Sequence, residues 1–285
     1  MTADAVASLT GYSRALYSNW LWHRPLQLVI DAGEGLALAL ASNIFSPSVV
    51  AITHGHSDHV LGLPGFAGAR RFGKGAPDKP WTIVYPAQST GVEVIKSTIG
   101  DLWKGVTFPI TWIPLGPGDS YAIGPDRVLE GFTVTHVPPE PSFGYRVLER
   151  RRRLKAEYVN VPPDEIERRA RMHGRDQLME EFQHVLLAHS GDAMPIAPDL
   201  VRDADVLVHD ATFLGQDERR APIHATSEEA LQVAREAAVR VLVLNHLSIR
   251  YDRTAAMPRL RDQVAASGFG GECWLLDEGS FLNLR

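Results

Sequence analysis

The chain has 285 residues, 45% hydrophobic and 22% charged, with a formal net charge of −5, the balance of a globular protein with a large core and not of an indiscriminate nucleic-acid binder. The lone cysteine, Cys273, excludes an intrachain disulfide and fits a reducing compartment, so a cytoplasmic protein is expected. No apolar stretch reaches bilayer-spanning length, which excludes a transmembrane helix, and the start MTADAVASLTGY lacks a basic region before an apolar core, so no leader is expected.

Residues 1–25 carry Tyr12, Tyr17, Trp20 and Trp22 among short strand-like pieces. Leu26–Ile30 reads as a strand ending in the turn Asp31-Ala32-Gly33-Glu34-Gly35, and a helix is expected over Leu36–Asn43. Ser48–Ile52 is an apolar run of the kind that forms a buried strand, and the polar cluster THGHSDH at 53–59 follows it directly. Gly62–Phe66 opens a short helical stretch, Trp81–Tyr85 is a strand, and Pro86 to about Leu102 a helix. The middle is more β in character, with Thr111–Leu115, Tyr121–Ile123, Arg127–Thr135 and Phe143–Leu148.

From Arg150 to about Phe182 the composition shifts: Arg150, Arg151, Arg152, Arg153, Lys155, Arg168, Arg169, Arg171 and Arg175 crowd in with few large apolar residues. This reads as a basic excursion from a single domain over 1–285, helical in look. It is either a solvated face balanced by Glu157, Asp164, Glu165 and Glu167 or an RNA-binding arm. The strand–helix rhythm then returns, with strands at Val185–Ala188, Asp205–Val208, Arg240–Leu244 and Glu272–Leu276 and helices at Pro195–Arg202, Ser227–Ala238 and Thr254–Ala266. Alternation at this spacing predicts a layered α/β fold.

Three imidazoles and a carboxylate stand within THGHSDH, and both groups are ordinary ligands for zinc and similar divalent metals. Such a turn can place His54 and His56 on one metal and Asp58 and His59 on a second. Further polar residues recur at predicted strand ends: His136, Asp192, His209-Asp210 and His246. Ligands gather beyond the carboxyl ends of strands in open α/β sheets, so the recurrence is physically coherent.

The segment THGHSDHVLGLPGF at 53–66 resembles the signature of the metallo-β-lactamase superfamily, and its trailing Gly62-Leu63-Pro64-Gly65 resembles the ribonuclease Z branch. The resemblance extends through DAGEG at 31–35, HVPPEPSFGYRV at 136–147, HSGDA at 189–193, VHDATF at 208–213, IHATSEEA at 223–230 and NHLSIRY at 245–251. It implies a four-layer αββα sandwich with metals at one edge between the sheets, commonly in a homodimer. It implies that His54, His56 and His136 hold one metal, that Asp58, His59 and His246 hold the other, and that Asp192 bridges them. Two Zn2+ are expected, with Mn2+ or iron also suited to the N/O donors. A metal pair about 3.5–4 Å apart activates a shared water and clamps phosphate oxygens. Asp58 would orient the attacking group, His224 would protonate the departing oxygen, and Asp210 would orient His224 where the family often has glutamate.

The implied activity is a metal-dependent phosphodiesterase of the ribonuclease Z type, with precursor tRNA as its specific substrate. Leu36 stands where the family's turn usually continues with threonine, and the 150–182 region lacks the family's Gly- and Pro-rich tRNA-gripping tract. That departure keeps a second reading in play: the same site acting on a cyclic nucleotide or another small ester. A third is a metal-stabilised RNA-binding protein without turnover, which would not need Asp210 and His224.

Overall fold

Short strands with apolar side chains on both faces must be covered on both faces, and this chain does so with four layers. The computed structural model describes residues 3–285, so the first two residues of the aromatic-rich opening stretch lie outside the described residues. The first half contributes α1 (Ala3–Ala7), β1 (Leu9–Arg14), β2 (Ser18–His23), β3 (Leu28–Ile30), α2 (Leu36–Leu40) and β4 (Val49–Ala51). It continues with α3 (Ser57–Val60), α4 (Gly62–Phe72), β5 (Trp81–Pro86), α5 (Thr90–Leu102) and β6 (Ile110–Leu115). These strands form one sheet in the order β1-β2-β3-β4-β5-β6, antiparallel up to β3 and parallel beyond it.

The second half begins with β7 (Ser120–Gly124), β8 (Arg127–Thr133), β9 (Phe143–Leu154), α6 (Pro163–His173) and β10 (Met179–His189). It ends with β11 (Val206–Asp210), α7 (Ser227–Glu236), β12 (Val241–Asn245), α8 (Arg253–Ala266), β13 (Glu272–Asp277) and β14 (Ser280–Asn283). The second sheet has the order β14-β13-β12-β11-β10-β9-β8-β7, with β10 to β13 parallel.

Period-two alternation sorts the side chains. Leu28 and Ile30 join Tyr145, Leu187, Val208 and Val243 between the sheets. Val29, Val50 and Ile83 turn outward against Leu36, Leu63, Phe66 and Val92 of the first helical layer. Leu207, Leu242 and Leu244 face Leu231, Val233, Leu260 and Val264 of the second. Among the described residues no helix is long and apolar enough to cross a membrane.

Three expectations need correction. The excursion is not helical at its base: Arg150 to Arg153 lie on β9, which pairs antiparallel with β10 from Leu154↔Met179 inward. Only its outer part is helical, in α6 and in short 3-10 turns at Ala156–Tyr158 and Arg175–Leu178. Arginine and glutamate favour helices in isolation, but a partner strand extends the ladder instead. Over Pro195–Arg202 the chain makes only a 3-10 turn, Pro198–Val201, as two prolines in that stretch withhold amide donors. Finally, Ser57–Val60 is a helical turn, so Asp58 and His59 project from α3 rather than from a loop.

Candidate metal centre

The cluster forms where the strands run out. Asp31 follows β3, Thr53 to His56 follow β4, Asp192 follows β10, Asp210 ends β11 and His246 follows β12, all at carboxyl ends. His136 lies just past β8, and His224 stands two residues before Thr226, the N-cap of α7. Every site residue expected from the sequence is gathered here, and all are buried except the half-buried His56 and His224.

His54 Nε2 and His136 Nε2 lie 3.0 and 3.2 Å from His56 Nδ1. On the other side, Asp58 Oδ2 is 3.6 Å from His59 Nε2 and 3.5 Å from His246 Nε2. Asp192 Oδ2 stands between the groups, 3.9 Å from His54 Nε2 and His136 Nε2, 3.3 Å from His59 Nε2 and 3.1 Å from His246 Nε2.

The hydrogen bonds behind these atoms fix which nitrogen carries a proton. Thr53 Oγ1 donates to Asp31, so it accepts from His54 Nδ1 at 2.9 Å. His59 Nδ1 donates to Asp31 Oδ2 at 2.8 Å, and His136 Nδ1 donates to the Ile223 carbonyl at 3.0 Å. Thr212 Oγ1 donates to Asp210 Oδ1 and therefore accepts from His246 Nδ1 at 2.8 Å. Each of these four histidines thus turns an Nε2 lone pair toward the others and toward the carboxylates. Among the described residues the buried His246 Nε2 has no hydrogen-bond partner. Lone pairs facing lone pairs and carboxylates repel unless cations stand between them, so the donor set fits divalent metal ions.

Charge effects show the same demand. Burial opposes charge on His59, yet Asp192 and Asp31 beside it hold its pKa well above the ordinary value. Burial works against ionised Asp58, but the imidazole of His246, 3.5 Å from its Oδ2, and nearby His59 bring it down to about 2. His224 is likewise opposed by burial, and the Asp210 carboxylate, 2.7 Å from its Nδ1, lifts it to about 9. Its ring packs against His136 and stacks on His246, with centroids 4.8 and 5.0 Å away.

The nearby His209 points elsewhere, donating from Nδ1 to the Asp210 carbonyl at 2.8 Å. Sequence reasoning missed the supporting shell. From the sequence Asp31 is marked only as part of the DAGEG turn, and Asn19, which donates to Asp58 Oδ2 at 2.9 Å, carries no mark at all. A usable signal existed for Asp31: parallel pairing of the runs at 26–30 and 48–52 sets it beside Thr53. Two site residues, Asp31 (φ 60°) and His246 (φ 62°), hold left-handed backbone, a strain that the surrounding contacts must maintain.

The fold and cluster define a metal-dependent hydrolase. The profile of the Beta-lactamase superfamily domain matches residues 181–247. The metallo-beta-lactamase fold protein YhfI from Bacillus subtilis superposes with a TM-score of 0.67 at 15% identity, over 96% of this chain and 98% of that one. Human tRNase Z, short form, superposes at 0.66 with 20% identity, over 97% and 99%. Ribonuclease Z of Bacillus velezensis is 31% identical over 265 residues, 84% of this chain and 83% of its own. Ribonuclease Z of Halobacterium salinarum is 31% identical over 276 residues, 88% and 86%.

The chain belongs to the ribonuclease Z family, and its activity is of that metal-dependent hydrolytic type. A hydrolase therefore stands over an RNA-binding protein without turnover.

Proposed function

We propose that this protein is a dinuclear zinc phosphodiesterase that processes the 3′ end of precursor tRNA. The observation that carries the reading is Asp192 Oδ2, which lies 3.1 to 3.9 Å from histidine nitrogens of both ligand groups and so suits a bridging carboxylate. In this reading His54, His56 and His136 hold one ion, and Asp58, His59 and His246 the other. When bound, such ions lower the pKa of water and neutralise phosphate charge.

The chain's own groups do the rest. Asp58 Oδ2 is tied to the Leu16 amide and to Asn19, which aims the carboxylate and leaves Oδ1 to orient an attacking water. His224, bonded through Nδ1 to Asp210, keeps Nε2 to deliver a proton to the departing oxygen. Relatives named Ribonuclease Z support RNA as the substrate class, and the neighbour titled tRNase Z supports tRNA. The reading takes the whole chain as one cytoplasmic hydrolase unit and a homodimer, with zinc preferred over manganese or iron.

One observation favours a small phosphodiester instead. Most arginines of the 150–182 excursion are engaged, among them Arg150 with Asp126 at 2.6 Å, Arg152 with Asp176 at 2.7 Å, Arg153 with Glu180 at 2.8 Å and Arg169 with Glu165 at 2.8 Å. Exposed pairs of this kind exchange readily, and RNA phosphates can compete for them. The test compares kcat/KM on a precursor tRNA with a 3′ trailer and on a cyclic nucleotide and an aryl phosphodiester, with zinc-loaded protein. Efficient cleavage of the precursor, falling steeply with salt, is expected. Turnover confined to the small esters would give the site to the second reading, and near-normal turnover by both D58A and H224A would remove the assigned roles.

A further inference from the structure

One acid beside the cluster has no part in the chemistry described so far. Glu140 lies in the stretch between β8 and β9 that also carries His136. Its Oε1 accepts the backbone N–H of Gly55 at 3.0 Å and the hydroxyl of Ser89, and its Oε2 accepts the hydroxyl of Thr90 at 3.0 Å. A single carboxylate therefore joins the His136 loop, the turn between His54 and His56, and the first residues of α5. The α5 end favours an anion, because its amides point outward there.

The packing is close. A Cβ placed on Gly55 would lie 2.5 Å from Glu140 Oε1 and 2.7 Å from Cα of Gly91, so the turn rests directly on α5 and on this carboxylate. The histidines differ in what else holds them. His54 is anchored by Thr53, His59 by Asp31, His136 by the Ile223 carbonyl and His246 by Thr212. Among the described residues the His56 ring meets hydrogen-bonding groups only at His54 and His136. The place of His56 thus depends on the backbone of its turn, and Glu140 holds that backbone.

We propose that Glu140 is a positioning residue that locks the His54-Gly55-His56 turn to the His136 loop, setting the affinity of that one cation site without contacting the cation. The proposal rests on the reading of these histidines as metal ligands. It predicts an asymmetric defect, because Asp58, His59 and His246 are held by other groups. Outer partners of metal ligands typically govern affinity by 10–100-fold.

The test titrates zinc-loaded wild type, E140A, E140Q and E140D with a chromophoric chelator, counts the ions retained and records thermal unfolding. Wild type is expected to hold two Zn2+. E140A should release one of them at roughly 10–100-fold weaker chelation while keeping the other at wild-type strength. E140Q keeps an acceptor oxygen for Gly55 and Ser89 and should restore retention. E140D keeps the charge but falls a methylene short of Gly55; it should also release one ion first, and it decides the matter if E140A does not fold. Retention of both ions by E140A or E140D overturns the proposal, as does parallel loss of both ions, or an E140Q no better than E140A. A folded wild type that binds no Zn2+ would instead remove the underlying ligand reading, and the proposal with it.

Discussion

Asp31 Oδ2 lies 2.8 Å from Nδ1 of His59, and the same carboxylate accepts both the amide and the hydroxyl of Thr53, which in turn holds His54. One buried acid thus sets the tautomer of a histidine in each candidate ligand group. Substituting D31N puts an NH2 where only acceptors fit, so His59 and Thr53 lose their common anchor. Zinc affinity should fall by about 10–100-fold at both sites, read by chelator competition. Unchanged affinity would mean that Asp31 serves the fold alone.

Removing the metals should destabilise the protein, because the converging lone pairs and carboxylates then face one another. Binding at a thousandfold excess over Kd is worth about 4 kcal/mol, which in a chain of this size shifts Tm by about 10 °C. Scanning calorimetry before and after chelation, with zinc restored, reads the difference. A Tm indifferent to chelator would show that the cluster is stable without cations.

The His224–Asp210 pair predicts a pH signature. The carboxylate lifts His224 to about 9, so the protonated acid persists through neutral pH and activity should fall as pH rises through that range. The D210N variant withdraws the charge, the pKa drops, and the alkaline limb of the kcat profile should move to lower pH. H224A should lose about 10²–10⁴-fold on an RNA substrate and much less on a nitrophenyl ester, whose leaving group needs no proton. Equal losses on both substrates would assign His224 to structure.

Gly62 opens α4 with its Cα pressed on the DAGEG turn; an added Cβ would lie 2.0 Å from the Gly33 carbonyl oxygen. G62A should therefore cost about 1–3 kcal/mol or more in denaturant unfolding, as overpacking does. A neutral result would mean that the turn moves away freely.

The candidate site residues were legible because histidine and aspartate at strand ends carry both their chemistry and their place in one sequence position. His136, Asp192 and His246 needed only the strand pattern and the family resemblance. Glu140 and Asn19 carry no such mark: each acts through an atom brought near by tertiary packing, and an isolated acid in a loop or a lone amide in a short strand shows nothing of that contact in the sequence. The layers were legible from apolar alternation, as in Leu28-Val29-Ile30, whose neighbours divide between the two sides of one sheet. The long arm of β9 was hidden because its arginines, read without β10, have the composition of a helix.

β10 takes up one extra residue, Leu186, between the pairs Val185↔Leu148 and Leu187↔Val147, and this bulge falls where the paired ribbon leaves the buried sheet. Beyond it the ribbon runs outward; inside it the same strand leads to Asp192. The bulge works as a mechanical joint, isolating the spacing of the inner rungs from that of the outer ones. Insertions or deletions made two residues at a time on each outer strand preserve the pleat, so the reach of the projection can drift over generations while the carboxylate at the other end of the strand stays where it is.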